Sequence, residues 1–323
     1  MNSSVKKALK ILIPLLLAIV FGWFMFSEIP IKTVTPYFKS ADYYYIVLGV
    51  FCGLLSHLSR AYRWKFLLEP MGYKVKLPNS IMAVFITYLA NYGIPRSGEV
   101  LRAAVLTNYE NVPFEKGFGT IVAERIADLI VMMGIIILTL LFQFDFIYQL
   151  LKQAFQPIKL VIAGVLAILF LGVLVVYIKR SSSKFALKIR TFLTGLLEGL
   201  LSIFKMKYKW AFIFHTLFIW GMYVLMFYIT TFSLEELNGA SIGAVLVAFI
   251  AASFTIAATN GGVFFYPAAV LGAFLLFGLP KDASYAFGWI IWSSQTLMIF
   301  IFGILSFIFV PVYNRNKTSE NTK

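Results

Sequence analysis

Long apolar runs constrain this chain more than any other feature of its sequence. A helix needs about 20 apolar residues to cross a hydrocarbon core ~30 Å thick. Leu9–Phe26, Ile158–Ile178, Trp210–Thr230 and Ser284–Val310 are runs of that order. Tyr43–Leu58 is shorter, with tyrosines at one end and Arg60, Arg63 and Lys65 at the other, and Thr120–Phe142 spans with Glu124, Arg125 and Asp128 in its first turns. Of the 323 residues, 60% are hydrophobic and 13% charged, against roughly 25% charged in a soluble domain. Too few charged groups remain to cover a water-facing surface, which excludes soluble enzymes, nucleic-acid modules and disordered tails. Leu9–Phe26 lacks a small-residue cleavage site and reads as a retained helix rather than a signal peptide.

Two regions break the pattern of simple spans. Ser80–Ala90 is too short to cross and runs into Asn91-Tyr92-Gly93-Ile94-Pro95-Arg96-Ser97-Gly98-Glu99. Residues Ser241–Leu279 are apolar throughout but interrupted by Thr259-Asn260-Gly261-Gly262 and Pro267. Gly and Pro clusters stop helices, and non-helical backbone at membrane depth survives only where protein or a water-filled cavity satisfies it. Both regions therefore read as re-entrant hairpins. The fold class is all-α: a polytopic integral membrane protein with about six full spans plus two re-entrant hairpins.

The order of segments contains a symmetry. The first half reads span, span, hairpin, span, and the second half from Ile158 reads the same with every direction reversed. Paired Gly/Pro-interrupted segments in an inverted repeat point to secondary-transporter architecture, with a site near the midplane. One transmembrane domain then covers residues 1–323, with a first repeat over about 9–142 and a second over about 158–312. Basic residues crowd the N-terminus (Lys6, Lys7, Lys10), the 59–79 loop, the 179–209 connection and the C-terminal tail. The positive-inside rule puts these segments, and both termini, in the cytoplasm of a multi-pass plasma-membrane protein. Within 179–209, Phe185, Ile189, Phe192, Leu196 and Leu200 recur at helical spacing beside Lys184, Lys188 and Arg190, the pattern of an interfacial amphipathic helix. The same positive-inside bias, with anionic headgroups, accounts for the net charge of +14, so no nucleic-acid partner is expected.

Chemistry concentrates in Asn91-x-x-x-Pro95-Arg96-x-Gly98-Glu99-x-x-Arg102, followed by Glu124-Arg125-x-x-Asp128. Glu99 and Arg102 share a face if residues 98–108 form the returning helix, as do Glu124 and Asp128 on the next span. Charges at such depths cost several kcal/mol unless paired, which makes them functional candidates. In one reading Arg96 and Arg102 grip a lipid phosphate bidentately, the helix start after Gly98 adds N–H donors, and Glu99, Glu124 and Asp128 orient the arginines or respond to a proton or a cationic headgroup. In the other the charges form a scaffold, Arg125 with Asp128 or Glu99 and Arg102 with Glu124, while Asn91 caps broken backbone. The second tip, Asn260, Gly261 and Gly262, is uncharged and either lines a lipid path or packs helices closely. Gln295 is better explained by an interhelical contact than by a bond to this tip. His57 reads as a structural residue or helix-dipole partner at its helix end in preference to a proton relay, and Arg60, Arg63 and Lys65 among Tyr62 and Trp64 read as an interfacial belt, one able to grip headgroups.

Enzyme signatures are sparse. There is no G-x-S-x-G, H-E-x-x-H, P-loop or dinucleotide fingerprint, and Cys52 alone supports neither a disulfide nor a cysteine metal site. His57 and His215 by themselves make no zinc site. Neither cofactor nor metal is expected.

At these residues the chain resembles the flippase-like family typified by the transmembrane region of lysylphosphatidylglycerol synthases, the bacterial multiple-peptide-resistance proteins. The matching stretches are His57-x-x-Arg60-x-x-Arg63-Trp64, the Asn91–Arg102 and Glu124–Asp128 motifs, and Asn260-Gly261-Gly262 in place of the family's Pro-Gly-Gly. The resemblance runs from about residue 10 to 312. It implies a lipid translocator of the bacterial or archaeal plasma membrane, acting on membrane lipids, and not itself an enzyme. In two-domain relatives this region moves an aminoacylated phospholipid whose synthesis belongs to a separate soluble domain. Since the sequence stops soon after its last span, no synthase domain is expected here, which leaves open a partner enzyme encoded separately. Phe264, Phe265, Tyr266, Trp289 and Trp292 depart from the family's more polar pattern, a departure that bears on the substrate. The alternative function is a non-catalytic accessory or scaffold protein for such an enzyme.

Overall fold

The computed structural model describes residues 31–94, 96–146, 206–259 and 261–315, with scattered positions between 148 and 190. Among the described residues the chain is helical, without strands. Four helices among the described residues are long and apolar enough to cross a membrane. Leu9–Phe26 and most of Ile158–Ile178 and of the 179–209 amphipathic segment lie outside the described residues. Backbone proximity divides the chain into two compact units, Met1–Val122 with Trp210–Lys323, and Ala123–Lys209.

In the first unit, α1 (Ile31–Ser40) is a short helix. It leads into α2 (Tyr43–Arg63), capped by Asp42, whose side chain accepts from the Tyr44 amide. After a tight 3-10 turn ending at Gly72, with φ +89°, come α3 (Leu77–Gly93) and α4 (Ser97–Glu110), the first hairpin. Their 17 and 14 residues correspond to about 25 and 21 Å at ~1.5 Å per residue, short of a ~30 Å core. Helix α5 (Phe114–Phe142) begins in this unit and continues into the other. Helix α6 (Lys209–Thr231) is followed by the second hairpin, α7 (Ile242–Ala258) and α8 (Phe265–Leu276), and by α9 (Lys281–Tyr313). Both stretches read as re-entrant are thus broken helices rather than continuous rods.

Small residues let these helices approach closely, as expected where lipid supplies little hydrophobic drive between helices. Gly98 faces the Thr87 backbone so tightly that a Cβ would collide with it, which locks α3 to α4. Gly53 on α2 faces the Gln295 side chain on α9, and Gly49 faces Thr230 on α6. Gln295 thus packs closely against α2. The C-terminal ends of α2, α4 and α9 and the body of α3 pack around Trp64, Leu68, Ile86, Leu106 and Val310, together with Ile121 in α5.

In the second unit, α5 exposes Leu129, Met133, Ile137, Leu138 and Leu141, an apolar surface suited to lipid.

Candidate functional site

The central element of the first unit is the face of α9 carrying Gly288, Trp292, Thr296, Phe300 and Gly303, spaced three or four residues apart so that they form one stripe. Gly288 faces the Pro267 backbone at the start of α8. One turn on, Trp292 Nε1 donates to the Gly261 carbonyl at 2.7 Å, pinning the second tip. A further turn on, the Thr296 hydroxyl bonds the Tyr92 hydroxyl at 2.9 Å, and Phe300 meets the Tyr92 ring edge-on. Gly303 then faces Leu89 and the Phe85 carbonyl of α3. Both hairpins are thereby fastened near the middle of the 33-residue α9, and they touch: the Tyr92 ring of the first tip covers Gly261 of the second.

The two turns are made from different materials. Asn91 Oδ1 accepts from the Gly98 amide at 2.9 Å, supplying a donor at the α4 start with its partner. Asn91 is thus a cap of broken backbone. Arg96 holds φ +60° at the α4 N-cap position, a left-handed conformation that costs a non-glycine residue about 1–3 kcal/mol. At the second tip Gly261 and Gly262 adopt φ +71° and +75°, and the Thr259 hydroxyl accepts from the Gly262 amide at 3.1 Å. Asn260 and Pro95 lie outside the described residues.

The charges of the first hairpin are graded by depth in the protein. Arg96 is exposed at the turn, Glu99 is half-buried, and Arg102 is buried. The Arg102 guanidinium carbon lies 3.8 Å from the centroid of the Trp64 ring. The indole is itself held by Nε1 donating to the Thr120 hydroxyl at 2.8 Å. A desolvated stack of this kind stabilises by about 2 kcal/mol or more, and it presets the guanidinium plane.

Arg60 and Arg63, read from the sequence as part of an interfacial belt, are buried at 3% and 0% exposure. Arg63 Nη1 donates to the Thr216 hydroxyl of α6 at 2.8 Å, and its guanidinium lies 5.1 Å from the Phe212 ring centroid. Arg60 acts electrostatically on both His57 and Tyr223. His57, also buried, packs 4.5 Å from the Tyr88 ring, and its Nδ1 is 3.5 Å from the Tyr223 hydroxyl. Arg63 and Arg60 thus lie on the side of α2 that meets α6, and His57, on the same helix, meets Tyr88 of α3, one turn before Tyr92 at the tip. The signal for these buried groups was present in the sequence: Ser56, Arg60 and Arg63 recur on one face of α2, which snorkelling residues at a helix end do not require.

A second buried network, also unanticipated, closes the base of the first hairpin. Asn79 Nδ2 donates to Glu110 Oε1 at 2.5 Å and to Asn314 Oδ1 at 2.9 Å. Asn314 Nδ2 returns a bond to Asn79 Oδ1 at 2.7 Å. Glu110 also accepts from the Lys76 amide at 3.1 Å.

In the second unit, Glu124 and Asp128 are buried, and Arg125 Nη1 approaches Asp128 Oδ2 at 4.0 Å. This is the Arg125–Asp128 pairing of the scaffold reading.

These features define a polytopic α-helical membrane protein whose broken-helix hairpins meet on one spanning helix. The chain belongs to the family described as the lysylphosphatidylglycerol synthase TM region, whose model matches residues 11–303. Among curated relatives, the UPF0104 membrane protein PH1989 of Pyrococcus horikoshii is 28% identical over 173 residues, 52% of this chain and 48% of that protein. The UPF0104 membrane protein MJ1595 of Methanocaldococcus jannaschii is 30% identical over 87 residues, 26% of each chain. The glycosyltransferase AglD of Haloferax volcanii is 32% identical over 77 residues, 24% of this chain and 12% of that one. The matches thus span half or less of each relative's length. No solved structure matches the chain.

Proposed function

We propose that this protein translocates a phospholipid or glycolipid headgroup across the plasma membrane, with both termini cytoplasmic and the first hairpin entering from the cytoplasmic side. The observation that carries the reading is the set of buried Arg63, Arg60 and His57 on α2, with His57 meeting Tyr88 one turn before Tyr92, whose ring covers Gly261. A headgroup crossing a bilayer must exchange water for polar groups inside protein, because hydrocarbon offers none. Buried cations and phenols offer those groups to an anionic phosphate. Arg102, set on Trp64, and Arg96 at the turn are the proposed phosphate-gripping residues, with Glu99 orienting them and Asn91, Gly261 and Gly262 shaping the tips. Glu124, Arg125 and Asp128 are proposed to contact lipid from their own unit. Exposed Lys74, Lys76 and Arg315 at the first hairpin's base support the orientation.

The test is transbilayer movement of headgroup-varied fluorescent lipids in proteoliposomes, read by quenching of the outer leaflet. Wild-type protein accelerates movement of at least one anionic lipid. Arg102→Gln, losing a charge-assisted contact of about 1.5–3 kcal/mol, slows it roughly ten- to hundredfold. Folded wild-type protein that moves no headgroup class overturns the reading.

The match to a stretch of a protein named a glycosyltransferase favours a second reading, an accessory protein for a lipid-modifying enzyme. That reading predicts co-purification with such an enzyme and indifference to Arg102→Gln.

A further inference from the structure

His57 sets a titratable group in an interface that apolar packing alone could close. It is buried, with the Phe85 ring of α3 edge-on at 5.6 Å. Phe85 in turn belongs to an apolar cluster with Leu54, Leu58, Leu89, Met298 and Ile299. Within this surround three helices bring polar groups together. Tyr88 of α3 lies 4.5 Å from the imidazole, ring centre to ring centre. His57 Nδ1 is 3.5 Å from the Tyr223 hydroxyl of α6, the long limit of a hydrogen bond. That hydroxyl also reaches Ser56 and Tyr88. Arg60, one turn further along α2, is the charged group that acts on the ring. On α4, Arg102 is taken up by Trp64, two turns beyond His57, and Glu99 lies one turn nearer the tip. Between Tyr285 and Tyr313, α9 has no titratable residue.

Ionisable side chains inside a bilayer are costly, and a helix contact that only had to pack would not need one. Histidine is the side chain whose charge changes near neutral pH, whereas phenols and guanidinium groups keep theirs. The imidazole is therefore the group of this cluster suited to taking up a proton. A proton there sets a second positive charge one turn from Arg60, and like charges repel strongly where little water screens them. The repulsion bears on α3, because Tyr88 touches the imidazole. Tyr92, four residues on and on the same face, bonds Thr296 and covers Gly261. Charging His57 thus pushes on the helix whose end joins the two tips.

We propose that His57 is a proton-binding site whose occupation releases Tyr92 of the first tip from the second tip. The switch stands whether or not lipid moves. Under the translocation reading it makes the cycle proton-coupled.

The full chain in proteoliposomes carries spin labels at Ile94→Cys and Phe254→Cys, two exposed positions near the tips, in a Cys52→Ala background. Electron-resonance distances between the labels are measured as both sides go from about pH 8 to about pH 5, the range in which histidine titrates. With His57 present, a longer-distance component grows severalfold towards acid pH. His57→Gln keeps hydrogen-bonding groups but takes up no such proton, and gives one distribution throughout. Distances that do not respond to pH with His57 present overturn the proposal, as does a response that survives His57→Gln. Should His57→Gln not fold, nitrogen NMR of the isotope-labelled histidine decides, with His215→Asn removing the other histidine of the chain. Protonation of His57 over the range in which the labels separate upholds the proposal. Separation without protonation, or protonation without separation, overturns it. Lipid movement is read on the same vesicles: separation without lipid movement counts against translocation alone, and lipid movement at an unchanging distance counts against the switch alone.

Discussion

The first hairpin carries Arg96, Glu99 and Arg102 and has its base clasped by buried side-chain hydrogen bonds, whereas the second carries no charge near its tip, and its body is wedged by ring packing while Trp292 pins its turn. At the base of the first, Asn79, Glu110 and Asn314 exchange buried hydrogen bonds. The second is wedged by Phe227, which meets Phe249, Phe274 and Phe287 edge-on, while Phe274 and Phe287 stack. The turns divide the same way, with Asn91 reaching across seven residues to the Gly98 amide and glycines at positive φ closing the other. One shape has therefore been built from two chemistries. A hairpin that carries ionic groups into a bilayer needs its geometry set by bonds with preferred angles, and an uncharged one can rely on complementary packing.

Thermal unfolding of the purified protein can break or sharpen this contrast. The largest effect is expected at the second hairpin. Phe227→Ala empties a fully buried site and costs about 3–5 kcal/mol. Next, Asn79→Leu leaves Glu110 and the Asn314 amide short of a partner at a cost of about 2–3 kcal/mol. Asn79→Leu stability equal to wild type would show that the clasp holds nothing. Gly261→Ala forces a Cβ into φ +71° and against the Tyr92 ring, which costs about 1–2 kcal/mol for the backbone alone. Its effect should shrink in a Tyr92→Ala background, because the ring is then gone, and full additivity would mean that the tips do not touch. The smallest change is Asn91→Ala, about 1 kcal/mol for a lost cap. It is recovered in part by Asn91→Asp, which keeps the acceptor oxygen.

Apolar run length made the spans legible in the sequence, and Gly/Pro clusters marked both breaks within a few residues of their observed positions. Ser80–Ala90 extends to Leu77–Gly93, and the second break falls between Ala258 and Phe265. Arg102 was legible as a buried charge, but its seat on Trp64 was not, because the two residues are far apart in the chain. Arg60 and Arg63 were misread for a related reason. A basic residue at the end of a span looks the same in sequence whether it snorkels to water or turns inward, and only the neighbouring helix decides. Here Thr216 and Phe212 of α6 receive Arg63.

The sequence by itself determined that the chain is helical, that it enters a membrane, and where its helices must stop. Those outcomes follow from local costs: hydrocarbon rejects unpaired backbone, and glycine and proline interrupt the helical hydrogen-bond ladder. The tertiary structure alone decided which polar groups face one another, because that depends on helix rotation and depth. The stripe of α9 that receives both tips is the clearest case. Trp292 and Thr296 are ordinary residues of an apolar span until Gly261 and Tyr92 are brought against them.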